Sequence, residues 1–165
     1  MDFITEVIGG IKNFPENDDK KKALAIEILL FFIRSDLKIF KFTIKELADF
    51  ASVNHNVLNQ PYDTFNNSPG YNEALVVLTS LNADNIIDES KILSLLESTL
   101  IMMMKYNLIF SRSSIQNTGG SSIGIKAYPI VSSITPFIKP DDFFASTFEV
   151  TLSDGFWLDF KSKSL

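Results

Sequence analysis

The chain has 165 residues, 45% of them hydrophobic, with no cysteine and a net charge of -5 from 15 basic and 20 acidic side chains. This is the length of a single domain with enough apolar mass for a real core. It excludes disulfides, thiol catalysis and cysteine-ligated zinc or iron-sulfur centres, and the acidic balance opposes nonspecific attraction to a polyanion.

The N-terminus carries Asp2 and Glu6 where a secretory leader would have basic residues, and no stretch is long and apolar enough to span a bilayer. A cytoplasmic location without membrane contact is expected. Phe3, Ile4, Val7, Ile8 and Ile11 have the spacing of an amphipathic helix, weakened by Gly9-Gly10 and stopped by Pro15. Asn17, Asp18 and Asp19 then cap a second helix through Ala23, Ile26, Leu29, Leu30 and Ile33. Lys20, Lys21 and Lys22 lie at its exposed start, as a solvated face or an anionic contact.

Thr43 and Glu46 have capping-box spacing and Phe42 and Leu47 that of a hydrophobic staple, so a helix begins at Ile44. Thr43, Glu46, Leu47, Ala48, Val53 and Val57 continue in the spacing of a helix-turn-helix motif, with Asn54 to Gln60 as its second helix. Ser52 stands where glycine is usual, and residues 51–90 contain no Lys or Arg to hold phosphates. Pro61 to Asn67 reads as a loop, and Ser68-Pro69 opens a helix with Ala74, Leu75, Val77, Leu78 and Leu81 on its apolar face. His55 is the sole histidine, and no nucleophile or carboxylate pair has a spacing that would make it catalytic. No enzyme activity, cofactor or metal is expected.

Asp88 caps a long helix from Glu89 to Tyr106, apolar on more than one side and expected to be the organising rod of the domain. The period then changes to two: Leu108, Phe110, Arg112 and Ser114 alternate with Ile109, Ser111, Ser113 and Ile115, and Ile123, Ile125, Ala127, Pro129 and Val131 share one face of a returning strand. Gly119 to Lys126 is not a phosphate loop, because Ile125 occupies the lysine position and the context is strand to strand. Pro136 and Pro140 bracket a connector. Phe148, Val150 and Leu152 form a strand, and a three-residue loop at Ser153-Asp154-Gly155 would pair them with Phe160, Leu158 and Phe156. Such a hairpin is marginal alone and must dock on the chain's own core or on a partner.

Helix followed directly by hairpin, joined through Met104-Lys105-Tyr106-Asn107-Leu108-Ile109, resembles the winged-helix (helix-turn-helix) superfamily. The expected fold is therefore mainly α with small β hairpins. A winged-helix-like domain over residues 18–131 would contain an insertion at 52–87, preceded by an N-terminal helix (1–17) and followed by a connector and C-terminal β-hairpin (132–165). Over Ala23 to Gln60 and Asp88 to Val131 the chain is similar to small acidic winged-helix subunits that accompany SMC-type or ABC-type ATPases in bacterial chromosome maintenance and anti-phage defence. The resemblance implies a non-catalytic protein-protein interaction subunit of a larger DNA-associated assembly, whose partner is an SMC-like ATPase or nuclease. DNA would be met weakly or through the complex. The hairpin side chains Phe148, Val150, Leu152, Phe156, Trp157, Leu158 and Phe160 are the expected partner contacts. The alternative is a DNA-binding winged-helix transcriptional regulator, using Lys20, Lys21, Lys22, Arg112 and Lys126 on phosphates.

Overall fold

A computed structural model describes residues 3–47, 49–50, 89–112 and 124–163. Helix α1 (Phe3–Lys12) buries Phe3, Ile4, Val7, Ile8 and Ile11, the stripe its spacing requires. Helix α2 (Asp19–Ser35) is buried on all sides: every residue from Ala23 to Leu30 is covered, Glu27 included. It stops where Asp36 takes the left-handed conformation (φ 53°), which a short polar side chain tolerates, and the Asp36 N–H still reaches the Phe32 carbonyl at 3.1 Å.

Strand β1 (Ile39–Thr43) runs straight into helical residues 44–47 and 49–50. The Glu46 N–H donates to Thr43 Oγ1 at 3.0 Å, and Phe42 and Leu47 are both buried. The cap and the staple therefore start this helix at the residue the spacing indicates.

Helix α3 (Glu89–Lys105) is followed by β2 (Leu108–Arg112) and β3 (Gly124–Tyr128), an antiparallel pair with Leu108 opposite Tyr128. To this point the chain follows the expected helix and hairpin. It departs at Pro129. The returning strand ends at Tyr128, the chain turns, and β4 (Val131–Phe137) joins a different sheet. A 3₁₀ turn (Phe143–Ala145) leads into β5 (Thr147–Leu152), and helix α4 (Asp154–Lys163) follows. Strand β5 lies between β1 and β4, antiparallel to both, with Val150 opposite Phe40 on one side and Ile134 on the other.

The fold is thus mixed α/β, with one three-stranded and one two-stranded antiparallel sheet among the described residues, and not a mainly α winged helix with a terminal hairpin. Two local readings account for the difference. The stretch taken as a connector is β4, in which Pro136 is tolerated because the strand is at an edge. The stretch taken as the hairpin's second strand is α4, so the expected pairs of Leu152 with Phe156, Val150 with Leu158 and Phe148 with Phe160 do not form. Ser153 decides this. Its Oγ accepts the Phe156 N–H at 3.1 Å as a helix N-cap and donates to the Pro129 carbonyl, while its own N–H donates to the Ile130 carbonyl at 2.9 Å. One serine starts α4 and pins the turn between the two sheets.

The residues expected to form the second helix of a helix-turn-helix (54–60), the helix after Ser68-Pro69, His55, Asp88 and the wing tip (113–123) lie outside the described residues.

Two glycines set how closely the helices approach the two-stranded sheet. A Cβ on Gly10 would stand 2.6 Å from Leu108, and one on Gly155 would stand 2.5 and 2.7 Å from the base of the Tyr128 ring. Leu108 and Tyr128 are cross-strand partners, so α1 and α4 close on the same pair. Gly9, one residue earlier in α1, has nothing within 4 Å of its missing Cβ. In urea denaturation, Gly155→Ala should cost about 1–3 kcal/mol through overpacking, whereas Gly9→Ala should gain up to about 1 kcal/mol from helix propensity. A neutral Gly155→Ala would mean that α4 does not pack rigidly on Tyr128.

Candidate functional site

The three-stranded sheet has one covered and one open face. Phe40 and Phe42 on β1 and Phe148 and Val150 on β5 point inward and are buried, with Phe31 and Phe32 of α2 edge-on or tilted against Phe40 and Phe42. Because side chains alternate along a strand, the opposite face carries Ile39, Lys41 and Thr43, then Thr147, Glu149 and Thr151, then Ser133, Thr135 and Phe137. Ile39 is 61% exposed and Phe137 48%. Lys41 reaches across β5 to place its Nζ 5.1 Å from the Phe137 ring centre, a cation–π contact over the middle of the face.

The two edges of this sheet differ. The Leu152 N–H donates to the Lys38 carbonyl at 2.9 Å and the Ile44 N–H to the Ser146 carbonyl at 3.1 Å. Antiparallel residues bond alternately to either neighbour, so Phe148, Val150 and Leu152 bond toward β1, and Thr147, Glu149 and Thr151 toward β4. On β4 this leaves Ile134 and Pro136 facing outward, and Pro136 has no N–H. The register also shifts between Val131 and Ser133, where Ser132 Oγ donates to the Thr151 carbonyl at 3.1 Å. A bulge and a proline both blunt the β4 edge. On β1, Ile39 and Lys41 turn N–H and C=O outward with neither device present among the described residues, and the Lys41 charge guards this edge instead.

The most polar buried point is on α4. Asp159 is buried and accepts from Lys126 Nζ at 3.3 Å and from the Tyr128 hydroxyl. Burial, and then the hydrogen bond to Asp159, hold the Tyr128 phenol well above its ordinary pKa. Asp154 bridges Lys38, and Lys161 bridges Asp36 at 2.9 Å. All three contacts tie α4 to the rest of the fold, and the Lys126–Tyr128–Asp159 cluster is satisfied internally. A groove of about 460 Å³ between the start of α2 and α3 is lined by Asp18, Lys21, Ser90, Ser94, Leu95 and Ser98. Its described lining offers hydroxyls from three serines beside one acid and one lysine. Among the described residues no three acids or histidines gather as a metal site.

The sequence-selected residues do not assemble into one surface. Phe148, Val150, Leu152, Phe156 and Phe160 are buried in the chain's own core, because β5 is a central strand and α4 turns Phe156 and Phe160 inward. Trp157 is half-buried against Phe160, with Lys161 Nζ 5.3 Å from its ring centre, and Leu158 is 66% exposed. Lys20, Lys21 and Lys22 lie in the first turn of α2. Lys21 Nζ stands 3.6 Å from Glu16, and Lys22 Nζ donates to the Lys12 carbonyl at 2.7 Å, at the end of α1. Arg112 ends β2 and Lys126 turns in to Asp159. Sequence reasoning missed the open face because β4 lacks the alternation of apolar residues that marks a strand.

Among the described residues no helix is long and apolar enough to cross a membrane. No family model matches the chain, and no curated protein or solved structure matches it.

The Tyr128 contact has a definite pH signature. A raised native pKa contributes stability that is fully present below the ordinary phenol value of about 10 and is lost as pH rises from there toward the native value. Tyr128→Phe should therefore flatten the fall in urea stability above about pH 10, while costing about 1–2 kcal/mol at neutral pH because Asp159 loses a donor. Identical alkaline slopes for the two proteins would count against the contact.

Proposed function

We propose that the chain is a non-catalytic protein-interaction subunit that presents the open face of its three-stranded sheet to a larger protein. The observation that carries this reading is the combination on that face of exposed Ile39 and Phe137 with Thr, Ser, Lys41 and Glu149. Apolar groups at the ends of a neutral polar field suit a protein surface better than a polyanion. The internal use of Lys21, Lys22 and Lys126 also argues against direct DNA contact, since each already serves an acid or a carbonyl of the chain. The sequence resemblance makes an SMC- or ABC-type ATPase, or a nuclease acting with one, the first partner class to test. The proposed setting is a cytoplasmic, DNA-associated assembly.

Phe137→Glu and Thr135→Arg change exposed side chains on β4 and should leave circular dichroism and the melting transition unchanged. In nuclease-treated pull-downs from the native cells, the unaltered protein should recover one larger protein in fixed stoichiometry. Either variant should weaken that recovery about tenfold or more. Equal recovery by the variants would remove the sheet face from the proposal. Recovery of nothing except DNA that the nuclease releases would favour a DNA-binding regulator.

A further inference from the structure

The open face of the three-stranded sheet has a centre. With β5 between β1 and β4, its outward residues fall into three rows: Ile39, Thr151 and Ser133; Lys41, Glu149 and Thr135; Thr43, Thr147 and Phe137. Glu149 is the middle of the middle row and is half-buried by its neighbours. Ile39 and Phe137 stand at opposite corners, each roughly 8 Å from it at ordinary strand spacings. Lys41 is the direct cross-strand partner of Glu149, at a position without hydrogen bonds between the two strands, where side chains stand closest and an ion pair is the ordinary outcome. Lys41 instead carries its Nζ to the Phe137 ring, 5.1 Å from the ring centre. Among the described residues the Glu149 carboxylate therefore has neither an ion pair nor a hydrogen bond, and the hydroxyls of Thr135, Thr147 and Thr151 around it are equally free.

We propose that the protein which covers this face sets an arginine on Glu149, between two apolar side chains that meet Ile39 and Phe137. The arginine rests on the proposed use of the face as a binding surface and adds the chemistry of what lies on it. A carboxylate at the rim of an interface keeps its water and needs no partner. One at the centre loses that water and must be matched by a cation. Arginine answers this better than lysine. Its planar fork can hold the carboxylate with two N–H groups and spend others on the threonine hydroxyls, each of which can accept. Lysine carries a compact charge that gives up its hydration less readily, and it is depleted from interfaces where arginine is enriched. The chain's net charge of -5 favours the approach of a basic surface.

A random peptide library tests this without the native partner. Panned against the purified full chain, it should yield peptides with an arginine flanked by apolar residues. In a synthetic peptide of the selected sequence, citrulline in place of that arginine keeps the shape and loses the charge. It should weaken binding about tenfold by fluorescence polarisation, and lysine at the same place about threefold. Glu149→Gln, an isosteric change at an outward-facing position, should leave circular dichroism unchanged and make the arginine and citrulline peptides bind alike. A merely structural role for Glu149 would not produce that loss of discrimination, and the citrulline peptide decides alone should Glu149→Gln disturb the fold. Selected peptides without arginine, or a selection with no binder at all, overturn the proposal. So does an arginine preference that survives Glu149→Gln. Equal binding of both peptides by the unaltered chain overturns it too, and is the result expected if Lys41 swings off the ring and satisfies Glu149 from within. Phe137→Glu separates the arginine from the face. Peptides released by Phe137→Glu but not by Glu149→Gln keep the face as the binding surface and remove the arginine, whereas peptides indifferent to both count against both.

Discussion

The structure depends on β5 having a partner on each side. Its backbone groups are divided between β1 and β4, brought together from positions about a hundred residues apart in the chain. Once both edges are taken, residues after Leu152 cannot fold back onto β5 as a hairpin. The only way to satisfy their backbone is internally, and Ser153 opens the helix that does so. The sheet and α4 are consequences of a single allocation of hydrogen bonds. With β5 at the centre, Phe148 and Val150 reach the core and Glu149 and Thr151 reach the open face.

The core beneath that sheet is shared by α2 and α3, which pack on each other, with α3 also against β4. An unbroken run of buried residues from Ala23 to Leu30 means that neighbours surround α2, while α3 keeps Ile101 and Lys105 exposed. Aromatic rings then fill two regions. Phe31 and Phe32 meet Phe40, Phe42 and Phe50 under the three-stranded sheet. Phe3 bridges Phe110 and Phe156, which links α1, the two-stranded sheet and α4. The N-terminal helix, which reads as an appendage in sequence, thus supplies a ring that joins two other elements. Gly10 allows it close enough to do so.

Local signals were legible wherever a few adjacent residues decide the outcome. The Thr43–Glu46 cap, the start of α2 after its acids, and α3 leading into the β2–β3 pair could all be read from spacing. Phe156, Leu158 and Phe160 could not, because positions two and four apart satisfy a strand, while Phe156 and Phe160 alone satisfy a helix turn. Leu158 separates the two readings, and only its exposure in the fold reveals which holds. Ser153 carried the missing signal: a serine before an acid and a glycine can cap a helix as well as close a hairpin. The strand β4 was hidden for another reason. Val131-Ser132-Ser133-Ile134-Thr135-Pro136-Phe137 has an extra residue at its bulge and a proline near its end, and both break the alternation by which an edge strand is recognised. The open face went unread with it, since that face exists only when β1, β5 and β4 are aligned.

Those same two breaks give β4 a physical role that β1 does not share. A proline facing outward costs no bond within the sheet, because the group it removes had no partner on that side. The bulge is likewise absorbed locally, with the Ser132 hydroxyl donating to the Thr151 carbonyl. The β4 edge is therefore closed to further strands at little cost to the fold, while the face beside it, with Phe137 under Lys41, stays accessible. On β1 the N–H groups of Ile39 and Lys41 face outward, and the edge is guarded by the Lys41 charge instead of by a proline or a bulge.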